Sequence, residues 1–157
     1  MPSATAPKRD MPRALPRAVA LALGVALTIA TLSGLVPGLT DASGRTFGLF
    51  KLNAYQNLLH TVSALWAFSA AYLSRSAAIT FLRLFGTLYF LDGVMGTITG
   101  SGFLDLSIIT QGVLHNPPMI KFLSSVPHLG LGAFGILVGF FAGSLATAAP
   151  APREARS

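Results

Sequence analysis

The chain has 157 residues, 52% of them hydrophobic and only 10% charged, with a formal charge of +6 and a mean hydropathy of +0.65. Soluble domains carry about 25% charged residues, so the composition excludes an ordinary soluble domain, and the absence of cysteine excludes a disulfide framework, a thiolate metal site and a thiol nucleophile. The basic residues sit at the ends of apolar runs and do not gather on one face, which excludes a nucleic-acid surface and fits membrane topology.

Residues 1–14 are polar, Pro-rich and basic, and read as a disordered tail. Residues 15–36 form an apolar run of membrane-spanning length, longer than the apolar core of a cleaved signal peptide. In it Ala18, Ala22, Ala26, Ala30 and Gly34 recur every fourth residue, a stripe that permits close helix approach. A loop rich in turn formers follows, with Pro37, Gly38, Asp41, Ser43 and Gly44. The second span is expected at 54–73. A short turn at Ser74, Arg75 and Ser76 makes it the antiparallel neighbour of a third span at 77–99. A second long loop ends in Asn116, Pro117 and Pro118, and a fourth span is expected at 121–146, with Pro127 near or inside its start. Residues 148–157 are a polar tail.

The second and fourth spans share a plan. His60 is followed by Ala64, Ala67 and Ala71, and His128 at the same offsets by Gly132, Gly135 and Gly139. Each span thus carries a histidine at the head of a small-residue face. Gly24, Gly34 and Gly38 map onto Gly86, Gly96 and Gly100 at a spacing of 62, and His60 maps onto His128 at a spacing of 68. The expected fold is therefore all-α: one membrane domain over residues 15–147, a four-helix transmembrane bundle of two parallel helical-hairpin repeats. Lys and Arg concentrate at both termini and at the short turn, which puts both termini in the cytoplasm of a bacterial inner membrane.

The polar residues converge in this topology. His60 and His128 lie at similar depth in the outer half, and Asp92 reaches the same level from the opposite direction at 1.5 Å of rise per residue. Asn57, Tyr89 and Ser125 lie one turn away and are candidate supporting partners. An ionised carboxylate at the bilayer centre costs about 2.5–3.5 kcal/mol, so Asp92 is expected to be neutral or paired, sharing a proton with one histidine. Each histidine has an alternative as a buried, hydrogen-bonded core residue that fixes helix register. Arg83 is expected to snorkel toward head groups. Metalloprotease, serine-hydrolase and phosphate-loop motifs are absent.

The stretches Asn57-Leu58-Leu59-His60 and Leu84-Phe85-Gly86-Thr87-Leu88-Tyr89, with Phe47-Gly48-Leu49-Phe50 in the first loop, resemble a family of small bacterial four-span membrane proteins classed as a domain of unknown function. The resemblance covers roughly residues 15–145. It implies the four-span fold and a second histidine opening the fourth span, and it brings no activity. Ser125 stands where the pattern implies a second asparagine, Pro127 precedes the histidine, and the acid at Asp92 is not part of the pattern.

The function expected from these residues is a non-enzymatic integral membrane protein without a cofactor. Its His60, His128 and Asp92 cluster, with Asn57, Tyr89 and Ser125 around it, is structural or binds a proton or small ligand. One rival is a b-type haem electron-transfer protein with His60 and His128 as axial ligands. Another is a subunit of an oligomeric transporter or channel. The expected partners are the lipid bilayer and, for the transporter reading, further copies of the chain or a larger membrane complex.

Overall fold

A computed structural model of the chain describes residues 14–39, 41–42, 46 and 52–147, with the backbone alone at 37 and 143–147. The expected tails and the Phe47-Gly48-Leu49-Phe50 segment lie outside the described residues. The described part is helical: α1 (Leu15–Ser33), α2 (Ala54–Leu73), α3 (Arg75–Thr99), the single turn α4 (Ser107–Thr110) and α5 (Pro118–Thr147). Three of these, α1, α3 and α5, are long and apolar enough to cross a membrane. The 20-residue α2 is not among them; its sequence includes Gln56, Asn57, His60 and Ser63, which lower its hydropathy.

The helix ends are set by local chemistry. Asn53 and Gln56 form a reciprocal capping box at α2: the Gln56 amide donates to Oδ1 of Asn53 at 3.0 Å and the Asn53 amide donates to Oε1 of Gln56 at 3.2 Å. The expected three-residue turn shrinks to Ser74, whose Oγ accepts from the Ala77 amide at 3.0 Å. This cap lets α3 start at Arg75, two residues ahead of the expected boundary. Gly100 closes α3 at φ +80°, where a residue without Cβ is favoured. Pro118 opens α5, a position where its missing N–H costs nothing, and Pro127 lies inside that helix.

The helices pack as two antiparallel hairpins, α1 with α2 and α3 with α5. The core between them is formed by Val19, Leu23 and Leu27 of α1, Ala64 and Ala67 of α2, and Phe81, Leu82, Phe85 and Tyr89 of α3. Large apolar side chains such as Leu21, Leu65, Leu91 and Phe141 line the outside.

The second hairpin is the closer one. A Cβ on Gly86 would lie 2.5 Å from the Ile136 amide nitrogen, and one on Gly132 would strike the Phe90 backbone. Gly135 and Gly139 face Leu82, Arg83 and Gly86 in the same way. Gly24 faces Phe68 and Gly34 faces Asn57, while Gly86 faces Ile136 and Gly96 faces Ser125.

Gly86→Ala therefore forces α3 and α5 apart and is expected to cost about 1–3 kcal/mol, the usual range for overpacking. Gly130→Ala has nothing within 4 Å of the new Cβ and is expected to be neutral or slightly stabilising. Heat-induced loss of helical circular dichroism in detergent compares the two; equal melting of Gly86→Ala and the parent would contradict the close approach.

Candidate functional site

The polar residues meet at the end of the bundle that carries the 101–117 connection. Asp92 lies on the inner face of α3 and is 3% exposed. Its Oδ2 lies 2.7 Å from Nδ1 of His128. Its Oδ1 accepts from the amides of Phe103 at 2.7 Å and Leu104 at 2.8 Å. Asp92 therefore ties α5 and the connection to α3. The connection comes this close because residue 102 is glycine: a Cβ there would stand 2.7 Å from both carboxylate oxygens.

Tyr89 lies one turn before Asp92. Its ring packs against His128 at 4.9 Å between centroids, and its hydroxyl donates to Oγ of Ser63 on α2 at 2.8 Å. The His128 ring meets the His60 ring of α2 edge to face, with centroids 6.0 Å apart and planes at 85°. Four of the expected residues, His60, Tyr89, Asp92 and His128, thus form one continuous set of contacts. The acid acts within the second hairpin. Within this set, the Tyr89–Ser63 hydrogen bond and the His60–His128 contact bridge the hairpins, and the edge-to-face contact of Trp66 with Phe81 at 5.0 Å between centroids joins them further along.

The other two expected residues stand aside. Oγ of Ser125 donates to the Lys121 carbonyl of its own helix at 2.9 Å and faces Gly96. Asn57 faces Gly34, and its buried Oδ1 has no partner among the described residues. Among the described residues no hydrogen bond joins either to a histidine. Both fill the space over a glycine, which a short polar side chain suits as well as it suits a histidine.

Two polar residues escaped the sequence reading. Ser63 lies three positions after His60 within the small-residue run, so only its tertiary partner distinguishes it. Asp105 is buried, its Oδ1 accepting from the Ser107 amide at 3.0 Å and its Oδ2 from the Ser107 hydroxyl at 2.6 Å. The Asp-x-Ser spacing was its available signal, since it predisposes to a turn closed by the side chain. Arg83 also differs from expectation. Its Nε donates to the Gly139 carbonyl at 3.0 Å, with the guanidinium 5.1 Å from the Phe140 ring centroid. The small Gly139 leaves its carbonyl open to this sideways reach.

Beside the two histidines lies a cavity of about 270 Å³ between α1, α2 and α5. Ala30, Leu27 and Ile29 of α1, His60 of α2, and His128 and Leu131 of α5 are among its walls. A wider, open depression of about 890 Å³ lies at the other end of α1, near Arg17, Phe68 and Tyr72. It lacks the histidines and the acid. Among the described residues no group of three or more His, Asp or Glu side chains is arranged to hold a metal ion.

A family profile matches residues 17–141, most of the chain, and covers the whole constellation. The chain belongs to the family described as a domain of unknown function, DUF4383. Searches of curated proteins and of solved structures gave no match. The DUF4383 assignment and the long apolar helices fit an integral membrane protein whose activity is unassigned.

Removing the Asp92 carboxylate strands the His128 Nδ1 and two backbone amides. Asp92→Ala is expected to cost about 3–5 kcal/mol, as for a broken buried pair, and Asp92→Asn less, since the amide keeps one acceptor oxygen. Amide exchange at Phe103 and Leu104 should accelerate in both variants. Exchange unchanged from the parent would show that the connection is held by something else.

Proposed function

We propose that the chain is a non-enzymatic integral membrane protein of the bacterial cytoplasmic membrane, with α1, α2, α3 and α5 crossing the bilayer and both termini inside. In this reading the buried Asp92–His128 pair holds a shared proton, and the contacts of Tyr89 with Ser63 and of His60 with His128 join two repeated hairpins. The observation that carries it is the 2.7 Å approach of Nδ1 of His128 to Oδ2 of Asp92, with the other carboxylate oxygen taken by two backbone amides. Ionisable groups inside a membrane domain are costly unless paired, and mark function when present.

Several features support the wider reading. For α2 as a fourth span, Leu58, Val62, Leu65 and Trp66 are exposed on its outer face, opposite the residues that lower its hydropathy. For the repeat, the pairs Gly24 with Phe68 and Gly34 with Asn57 match Gly86 with Ile136 and Gly96 with Ser125 at the sequence spacings of 62 and 68. For a non-enzymatic role, neither serine beside the histidines is hydrogen-bonded to a histidine or a carboxylate: Ser63 accepts from Tyr89 and Ser125 donates to its own helix. The bilayer is the partner this surface fits, and the exposed Ala18, Ala22 and Ala26 of α1 leave a face for further copies.

The rival reading as a b-type haem protein has one observation in its favour, since ligating histidines are commonly held through the other ring nitrogen by a carboxylate. Against it, the His60 and His128 rings meet edge to face at 6.0 Å, and Tyr89 packs on His128. The adjoining cavity of about 270 Å³ is also too small for a group the size of haem, since pockets that bury drug-sized molecules run to about 300–1,000 Å³.

His128→Ala is expected to lower stability by about as much as Asp92→Ala, and the double variant to cost little more than either, because the two groups act as one pair. His60→Ala should cost less. A His128→Ala protein as heat-stable as the parent would refute the paired role. For topology, cysteines placed singly at Ser76 and Thr110 of this cysteine-free chain are expected to label from the cytoplasmic and the outer side, respectively. Labelling of both from one side would contradict the four-span arrangement. The purified protein should show no Soret absorption; a Soret band lost in both histidine variants would favour the haem reading.

A further inference from the structure

The two hairpins correspond position by position, with exchanges around the histidines. At the spacing that relates Gly24 to Gly86, Asp92 corresponds to Ala30; at the spacing that relates Phe68 to Ile136, His128 corresponds to His60. His128 has its carboxylate at 2.7 Å. His60 is only 8% exposed, and its Nδ1 is buried with no hydrogen-bond partner among the described residues. Where the acid of the second hairpin stands, the first has the methyl group of Ala30, and Ala30 and His60 face the same cavity of about 270 Å³. The neighbours are exchanged as well. Tyr89 and Ser63, which hydrogen-bond to each other, correspond to Leu27 and Leu131, both in the cavity wall.

We propose that this cavity binds a compact, apolar monocarboxylic acid, whose carboxyl group lies against the His60 ring as Asp92 lies against that of His128. The inference rests on the hairpin-repeat reading above. A carboxyl group suits an imidazole nitrogen in either tautomer: as an acid it donates to the ring nitrogen, and as a carboxylate it accepts from it. Ser33, Thr46 and Ser124 also border the cavity, the Ser33 hydroxyl donating to the Ile29 carbonyl of its own helix at 2.8 Å. Leu27, Ile29 and Leu131 form an apolar wall suited to a hydrocarbon tail. The volume admits one short chain and excludes a two-chain lipid. α1 and α5 touch sparsely, so the site opens between them toward the apolar surroundings from which such a molecule would partition.

The test uses the full chain in lipid nanodiscs, with carboxyl-labelled octanoic acid as probe and 1-octanol as a control of equal length. Octanoic acid is expected to bind saturably and at least tenfold more tightly than octanol. Ala30→Asp supplies the missing acid from the chain itself and should weaken octanoic acid binding tenfold or more. Leu131→Phe fills the cavity from α5, should weaken it similarly, and carries the test if Ala30→Asp does not fold. The proposal is overturned by an absence of saturable binding to the folded parent, by equal affinity for octanol, or by undiminished binding in a folded variant. The proposed function fails separately, if His128→Ala leaves heat stability unchanged, whatever the octanoic acid result.

Discussion

A carboxylate surrounded by packed helices must have every oxygen occupied, and the architecture of the second hairpin follows from how Asp92 meets that demand. One oxygen takes His128, which fixes α5 against α3. The other takes two consecutive amides, which folds the 101–117 connection back over the helix ends. Two consequences sit in the local backbone. Residue 102 is glycine because a Cβ would collide with the carboxylate, and Leu106 takes φ +58°, a conformation disfavoured for a side chain of its shape. The connection tolerates that cost because Asp105 closes the turn on Ser107.

Much of this arrangement was legible in the sequence. The order of the long helices followed from apolar run length and turn residues, although α4 was not foreseen and α3 and α5 start two and three residues ahead of the expected bounds; the clustering of His60, His128, Asp92 and Tyr89 followed from depth along antiparallel helices. The parts that were not legible depend on rotation about the helix axis. Asn57 and Ser125 sit one turn from the histidines, yet each turns to cover a glycine on the neighbouring helix. Arg83 was expected to reach along its helix toward head groups, but an open glycine carbonyl on α5 draws it sideways. Run length and residue spacing report depth well and report such lateral choices poorly.

Helix association inside a bilayer gains little from apolar burial, because lipid is as apolar as the side chains, so close packing and polar contacts decide it. Both are present and they are divided between tasks. Glycines at 86, 132, 135 and 139 bring α3 and α5 into backbone contact, while side-chain polar contacts join one hairpin to the other. The family description extends over these residues without assigning them a role, and the geometry singles out the histidines and the acid as the place to look for one.

The unequal closeness of the two hairpins has a kinetic consequence. α3 and α5 meet through glycine backbones and share the Asp92–His128 bond, whereas α1 meets α2 at Gly24 through the ring of Phe68 and touches α5 only lightly. Elements held by fewer contacts open at lower free energy than the rest of a fold. α1 is itself tied to α2, where Arg17 donates to the Ala71 and Tyr72 carbonyls, and the two hairpins meet more sparsely than the helices within either one. The expected order of opening therefore begins with the α1–α2 hairpin parting from a closed α3–α5 hairpin, so that residence time in the cavity between them is set by that separation and not by unfolding of the whole bundle.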